Sequence, residues 1–221
     1  MQRSLGADLE KNLERPSRAG SLALIAGSPC LNFANTSSGR GTPSHQEHLR
    51  GYELLLVWSE HAGLLPAPLH VALSALASKQ PTAAARAFRR AIALREAIHA
   101  IASALAQHEA PPSDALPLLN QELSRAMSQA ALHRDNEGFA WDWSDAELAL
   151  DRPLWPLARS AAELFTGADL ARIKQCAGQH CGWVFLDLTK NNRRRWCEME
   201  VCGSRAKVRR YRQRQRQAAT A

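Results

Sequence analysis

The chain has 221 residues, 45% of them hydrophobic, and a formal net charge of +7, which suits one sizeable core or one domain with a small appendage. Leu and Ala dominate its apolar residues, whereas Val and Ile are sparse, and this composition favours a mainly α-helical fold. No apolar run approaches the roughly 20 residues that span a bilayer, so we expect no membrane contact.

The positive charge is concentrated in the last quarter of the chain. Residues 171–221 contain 13 Lys and Arg against 3 Asp and Glu, a net of +10, whereas residues 1–170 contain 15 basic and 18 acidic residues, a net of −3. This asymmetry predicts a polyanionic partner for the C-terminal region. A solvated basic tail is the alternative interpretation.

The first 20 residues, MQRSLGADLEKNLERPSRAG, are charged and contain no continuous apolar segment. They do not have the pattern of a secretory signal, and we predict a disordered tail over residues 1–20. We accordingly expect a cytoplasmic location, in which thiols stay reduced.

The segment GSPCLNFANTSSGRG mixes apolar and polar residues in an unusual way. One interpretation is a polar wall of a pocket for a small-molecule effector, in which an arginine receives an anion. The candidate pocket residues are Asn32, Phe33, Asn35, Thr36 and Arg40. The alternative is that the Asn and Thr side chains only cap helices and stabilise turns.

Residues 21–170 otherwise show helical periodicity. Helices are predicted in HQEHLRGYELLLVWSEHAGLL, in TAAARAFRRAIALREAIHAIASALAQH, in SDALPLLNQELSRAMSQA with Pro117 in the first turn, and in DRPLWPLARSAAELFTG. The segment ALHRDNEGFAWDWS alternates around a turn and predicts a small β-hairpin. We therefore predict a helical N-terminal domain over residues 21–170, which senses a signal or dimerises.

Four cysteines near the C-terminus form two CxxxxC pairs, and their spacing predicts one structural zinc ion. The predicted ligands are Cys176, Cys181, Cys197 and Cys202. Four thiolates complete a tetrahedral zinc shell and leave no open position for catalysis. Disulfides or unrelated buried thiols are the less favoured alternatives. Cys30 lies in an apolar stretch and is interpreted as a buried small hydrophobe.

Residues 171–217 are predicted to form a treble-clef-like zinc module that ends in a basic helix. Gly178 and Gly182 allow the tight turn of a first zinc knuckle around Cys176 and Cys181. The segment WVFLDLT reads as one arm of a hairpin that reverses at KNN and returns through RRRW. Ser204 is a candidate N-cap of the basic helix. A segment this small has little core of its own, so the metal would supply the missing stability.

The basic helix carries arginines on one face, at spacings of four, three and four, and a second basic stripe beside them. The candidate nucleic-acid contacts are Arg193, Arg194, Arg195, Ser204, Arg205, Lys207, Arg209, Arg210 and Arg212. We expect Val201, Val208 and Tyr211 to pack against the zinc core. A basic helix held by a metal is suited to the major groove of DNA, and arginine suits both phosphates and guanine edges.

The segment CAGQHCGWVFLDLTKNNRRRWCEMEVCGSRAKVRRYRQR resembles the CGNR zinc finger, whose name-giving motif stands here as Cys202-Gly203-Ser204-Arg205, with Ser in place of Asn. CLNFANTSSGR is similar to the signature of the ABATE domain that accompanies this finger. The resemblance covers about residues 21–217. It implies a bacterial, stress-induced transcription regulator.

The sequence contains none of the HExxH, GxSxG, P-loop or GxGxxG motifs, so we do not expect an enzyme. The leading interpretation is a DNA-binding regulator located in the cytoplasm on the nucleoid. The alternatives are an RNA-binding or protein-adaptor zinc module and an enzyme with a pocket in its N-terminal domain. Symmetric DNA reading by two modules would require a homodimer, of which the sequence gives no sign.

Overall fold

A computed structural model of the chain describes residues 16–134, 138–143 and 147–219. Of the tail predicted over residues 1–20, residues 1–15 lie outside the described part. Residues 16–20 pack on the helical domain: Ala19 begins a 3₁₀ turn, Ala19–Ser21, and is fully buried. The Ser17 hydroxyl donates to the His48 carbonyl at 2.7 Å. The folded region therefore extends upstream of the predicted boundary at residue 21.

Helices form most of the described structure, as predicted. The α-helices are α1 (Pro29–Ala34), α2 (Tyr52–His61), α3 (Ala67–Lys79), α4 (Pro81–Gln107), α5 (Ala115–Met127), α6 (Trp155–Thr166) and α7 (Ser204–Ala219). Within the described ranges no helix has both the length and the apolar character that a membrane span needs.

The long helix α4 is the centre of the fold. Its buried residues recur every three or four positions, with Ala91, Leu94 and Ile98 completely enclosed. This apolar stripe contacts α1, α2, α3 and α5, as well as the strands of the C-terminal module. The periodicity that predicted this helix is therefore the pattern of its contacts with the core.

The described chain also contains three antiparallel strand pairs. They are β1 (Ser37–Ser38) with β2 (Gln46–Glu47), β3 (Ala131–Arg134) with β4 (Phe139–Asp142), and β5 (Ile173–Gln175) with β6 (Val184–Leu186). The β3–β4 pair confirms the predicted hairpin, with Leu132 opposite Trp141. Residues 135–137 of its turn lie outside the described part.

Two helices were not predicted. Helix α3 begins directly after Pro66, and Leu73 is its one buried residue, so it has little apolar periodicity to detect. Helix α1 has only six residues and contains Asn32, which led to its interpretation as part of a polar pocket wall. Both are short or weakly patterned elements that tertiary packing stabilises.

The N-terminal domain and the predicted zinc module share one apolar core. Strand β6 is wholly buried and contacts α1 and α4, while β5 also lies against α4. The buried side chains of Ile173, Val184 and Phe185 belong to the same cluster as Leu31 and Ile98. The C-terminal module therefore gains much of its apolar packing from the helical domain.

Candidate metal centre and nucleic-acid interface

The four predicted cysteine ligands come together in the fold. The Sγ atoms of Cys176, Cys181, Cys197 and Cys202 all lie within 4.8 Å of one another. The Cys181 and Cys197 sulfurs are 3.5 Å apart, and those of Cys197 and Cys202 are 3.6 Å apart. A tetrahedral zinc ion with Zn–S bonds of about 2.3 Å separates its sulfurs by about 3.8 Å. The donor set and its spacing thus fit one structural zinc ion.

The protein backbone shapes the metal site. The Cys197 amide lies 3.3 Å from Cys176 Sγ and can donate to it. A Cβ added at Gly178 would lie 3.1 Å from Cys181 Cβ and 3.3 Å from Cys202 Sγ, so a larger residue there would crowd the metal ligands. Gly182 adopts a φ of +71°, the left-handed region that favours glycine. Both glycines have the role that the sequence predicted.

Hydrogen bonds among the clustered thiols change their pKa values in opposite directions. Contacts from the thiols of Cys181 and Cys197 lower the pKa of Cys176, so its thiolate forms first. Hydrogen bonds to the Cys176 sulfur raise the pKa of Cys181 and of Cys197, because they stabilise the protonated thiols that donate them, and burial raises both further. A divalent cation takes the place of these protons and allows all four thiols to ionise.

The predicted hairpin from WVFLDLT through RRRW is wrong. Strand β6 pairs with β5, upstream of the first cysteine pair, with Ile173 opposite Leu186. The turn between these strands carries Cys176 and Cys181. The described chain from 187 to 195 forms no strand, and the amides of Thr189 and Arg194 bond instead to the carboxylate of Asp187.

Asp187 is a fully buried carboxylate that sequence reasoning missed. It accepts from Lys174 Nζ at 2.6 Å, from the Arg194 amide at 2.8 Å, and from the amide and hydroxyl of Thr189. Burial alone would raise the pKa of Asp187, but these hydrogen bonds outweigh burial and hold it well below its usual value. The signal in the sequence is a single acid inside an otherwise apolar stretch.

The Arg194 side chain makes its contacts within the protein. Its guanidinium donates to the carbonyls of Ile25, Trp196 and Cys197, and it lies 4.4 Å from the centre of the Phe185 ring. Arg193 and Arg195, by contrast, are exposed. We therefore leave Arg194 out of the candidate nucleic-acid surface and keep its two neighbours.

Several hydrogen bonds join the zinc knuckle to the N-terminal domain. The Gly39 amide donates to the Cys181 carbonyl at 2.8 Å, and the Trp183 indole donates to the Ser38 hydroxyl at 2.9 Å. His99 Nε2 lies 2.9 Å from the Gly182 carbonyl, so this nitrogen carries the proton. Burial lowers the pKa of His99 and favours its neutral form.

The predicted pocket residues on α1 are engaged within the protein. Phe33 is buried against Trp58, with ring centroids 5.2 Å apart. Asn32 Oδ1 accepts from the Ala26 amide at 2.9 Å. The buried amide of Asn35 donates to the Val184 carbonyl and accepts from the Val184 amide. These contacts match the alternative role in stabilising turns and chain junctions.

The two remaining pocket residues contribute to a charged cluster beside α4. Thr36 donates to the Phe33 carbonyl and accepts from Arg95, which is 2% exposed and forms a two-point ion pair with Glu47. Arg40 donates to the Ala34 carbonyl at 2.8 Å and lies 3.3 Å from Glu96. Burial lowers the pKa of Arg40 to about 10, so it stays charged at neutral pH. The effector pocket at these residues stays a prediction.

Ser204 does not cap the basic helix. A wide π-helical turn, Met199–Gly203, runs directly into α7, and the Cys202 and Gly203 amides bond to the Glu198 carbonyl. The helical chain therefore begins at Met199, five residues earlier than predicted. The exposed Ser204 hydroxyl instead donates back to the Met199 carbonyl at 3.3 Å. The metal ligand Cys202 thus lies within the first helical turn.

Helix α7 projects from the body with nearly all its side chains in solvent. Over the described side chains 204–218, Ala206 is the only buried residue. The expectation that Val201, Val208 and Tyr211 pack against the zinc core is wrong, since they are 38%, 49% and 64% exposed. The reason is geometric: at about 100° per residue, Val208 and Tyr211 lie on the side of the helix opposite Ala206.

The exposed surface of α7 has a regular arrangement. One basic stripe contains Arg205, Arg209, Arg212 and Arg216, and a second contains Lys207, Arg210 and Arg214. Since each residue advances by about 100°, the two stripes lie on opposite flanks of the helix. Between them, facing away from the body, runs a ridge formed by Ser204, Val208, Tyr211 and Gln215. We call these the first stripe, the second stripe and the ridge.

Fold and site together define a helical protein whose four-cysteine zinc module carries a basic helix. Residues 27–168 match the family model ABATE, described as "putative stress-induced transcription regulator", and residues 172–215 match the CGNR zinc finger. The first match covers more than half of the chain, so the chain belongs to the ABATE family. Both matches confirm the resemblance seen in the sequence. No curated protein matches the chain.

Proposed function

We propose that the protein is a DNA-binding transcription regulator whose zinc module presents α7 to the major groove. The observation that carries this proposal is the helix itself: seven Lys and Arg side chains and no acidic residue between Ser204 and Ala219, almost wholly exposed beside a metal-held turn. The apolar side chains of Val208 and Tyr211 are exposed on this helix, so a bound partner can supply the packing contacts that the protein itself does not provide.

The arrangement of stripes and ridge supports DNA as that partner. The major groove is about 12 Å wide and receives one α-helix, with a phosphate backbone on each side. Two basic stripes on opposite flanks suit these two backbones. The ridge between them then faces the base edges, where Val208 and Tyr211 can contact thymine methyl groups. Arg193 and Arg195 add exposed charge near the start of the helix.

The zinc ion has a structural role in this function. It fixes Cys197, which precedes the turn that starts the helix, and Cys202, which lies within that turn, to the knuckle that is bonded to Gly39 and His99. This anchoring sets the direction of α7 relative to the helical domain. Neither matched family is described as an enzyme, and a closed set of four thiolates offers no open position for catalysis.

Such a regulator would act in the cytoplasm, on the nucleoid. A homodimer would allow two α7 helices to read a symmetric operator. The helical domain would then provide the dimer contact or respond to a signal. These roles extend the proposal, and the experiment that follows addresses its central claim.

The test is selection from a random duplex DNA library with zinc-loaded protein, in parallel with the Cys202→Ser variant. We expect an enriched motif that the variant fails to select. Affinity for the motif should fall with salt, with a slope of log K against log salt of roughly −5 to −7 if six to eight cations meet phosphates. Recovery of random sequences by the intact protein would contradict sequence-specific regulation and favour the RNA-binding alternative.

A further inference from the structure

A cleft of about 470 Å³ lies where the zinc module meets the N-terminal domain. Four segments enclose it: the chain around Arg18, the β1–β2 connection, the zinc knuckle, and the head of α7. None of the pocket residues predicted from the sequence lines it. The volume is within the range of about 300–1,000 Å³ that is typical of small-molecule sites.

Three arginines converge on this cleft. Arg18 approaches from the N-terminal segment, and Arg205 and Arg209 approach from the first stripe of α7. Within the described part of the chain, none of their guanidinium groups has a hydrogen bond or an ion pair. Glu198 is the one carboxylate among the lining residues. Positive charge that lacks partners and faces a concave surface is suited to an anion.

The rest of the lining suits an organic ligand. Ala23, Trp183 and Val201 contribute apolar surface, and Ser44 and Gln46 contribute neutral hydrogen-bonding groups. Three of the four zinc-binding cysteines, Cys181, Cys197 and Cys202, also line the cleft, so the metal site forms part of its wall. His48, which also lines the cleft, is neutral at pH 7, because burial lowers its pKa to about 4. The permanent positive charge in the lining therefore comes from the three arginines, which have to offset Glu198 and a zinc site whose four thiolates outweigh the charge of the ion.

We propose that this junction cleft binds a small organic anion, whose phosphate or carboxylate group is held by Arg18, Arg205 and Arg209. The apolar wall receives the remainder of the ligand. The regulatory consequence rests on the proposed DNA binding: a ligand in the cleft engages two arginines of the first stripe, so ligand and DNA compete for them. A signal would thus reach α7 directly, without a change in the fold.

The experiment is an NMR titration of ¹⁵N-labelled, zinc-loaded full-length protein with inorganic phosphate and with adenosine monophosphate, at constant ionic strength. We expect saturable shifts at the amides of Gly39, Cys181 and Arg205, and none with adenosine, which lacks the phosphate. Arg18→Ala and Arg205→Ala should each weaken binding about tenfold, as the loss of a charge-assisted hydrogen bond does. Arg214→Ala, on the second stripe, is the matched control and should leave the affinity for phosphate and for adenosine monophosphate unchanged.

Three results would overturn the proposal. One is the absence of shifts with either phosphate probe. Another is an equal loss of binding in Arg214→Ala, which would indicate diffuse charge and no defined site. The third is Arg18→Ala weakening DNA binding without any saturable phosphate binding, which would make the cleft part of the DNA surface. Phosphate binding in a protein that selects no DNA motif would refute the proposed function and leave the cleft assignment standing.

Discussion

Asn35 and Val184 are 149 residues apart in sequence, yet the side-chain amide of Asn35 forms two hydrogen bonds with the backbone of Val184, both 2.9 Å long. The pair is buried, and it fixes β6 to the turn that follows α1. Leu186 extends the same junction, since its amide donates to the Ala26 carbonyl at 2.8 Å. The zinc module and the helical domain are therefore joined by backbone hydrogen bonds as well as by a common core.

Asn35→Ala should lower the free energy of unfolding by roughly 2–4 kcal/mol, because it leaves the buried amide and carbonyl of Val184 without partners. Urea unfolding of the zinc-loaded protein measures this. Asn120→Ala is a matched control, since Asn120 is exposed on α5 and alanine favours helix. Equal stability of the two variants would show that the Asn35 bonds contribute little.

Cys202→Ser should reduce the bound zinc from one ion per chain to a small fraction, and it should also lower the melting temperature of the helical domain, because the two regions share a core. Metal analysis and circular dichroism measure the two effects. Cys30→Ala removes a cysteine that lies apart from the metal site and should retain the zinc. A helical domain that melts unchanged after zinc loss would show that the coupling is weak.

Arg194→Ala should destabilise the protein by about 2–3 kcal/mol, since it removes hydrogen bonds to three carbonyls and a cation–π contact with Phe185. Arg193→Ala should leave stability unchanged within about 0.5 kcal/mol and weaken binding to all DNA sequences equally. Chemical denaturation and a DNA-binding assay on both variants make the comparison. Unchanged stability together with weakened DNA binding in Arg194→Ala would instead indicate that Arg194 contacts DNA.

Acidification should destabilise the protein partly through His48. Burial, assisted by the charge of Arg18, lowers the pKa of His48 from 6.5 to about 4 in the folded state. The unfolded chain therefore binds this proton first, and the stability contribution, about 3 kcal/mol, is lost as the pH falls from 6.5 to 4. Unfolding measured from pH 7 to pH 4 should show a shallower decline for His48→Gln. An equally steep loss of stability in the wild-type protein and in His48→Gln would show that His48 is not a source of the pH dependence.

Val208→Ala should reduce affinity for the selected DNA motif about fourfold, the effect of losing roughly one buried methyl contact. Replacing thymine by uracil in the motif removes the thymine methyl and should have the same effect on the wild-type protein. The variant should then be insensitive to that replacement. Lys207→Ala, on the second stripe, is the control and should weaken binding to every sequence. Retained sensitivity in Val208→Ala would show that another group contacts the methyl.

The metal site could be predicted from the sequence because the spacing of two cysteine pairs is itself the pattern of a zinc-binding site. The predicted core stripe of α4 was also correct, since a 27-residue helix has many turns over which a period can be recognised. Strand β5 has only three residues, and its pairing with β6 across the zinc knuckle leaves no local pattern. The hairpin was therefore assigned to the wrong partner.

Other features could not be inferred because they depend on contacts between distant residues. Nothing within the run Arg193–Arg195 distinguishes the middle arginine, which the fold turns inward. Asn35 lies in an apolar segment, where a polar residue suggested either a ligand contact or a turn, and its partner is far away in sequence. The outward ridge on α7 was missed because apolar residues beside a metal site are usually buried.

The shared core has a consequence for moving this zinc finger into other proteins. A fragment cut at residue 171 would carry the metal ligands and α7, but it would expose the buried faces of Ile173, Val184 and Phe185. It would also leave behind Asn35 and the Ala26 carbonyl, to which β6 bonds. A chimeric regulator would have to import α1 and the facing side of α4 along with the finger. If the proposed DNA binding holds, redirecting the protein to a new DNA target is therefore a task for substitutions along the ridge, with the chain left whole.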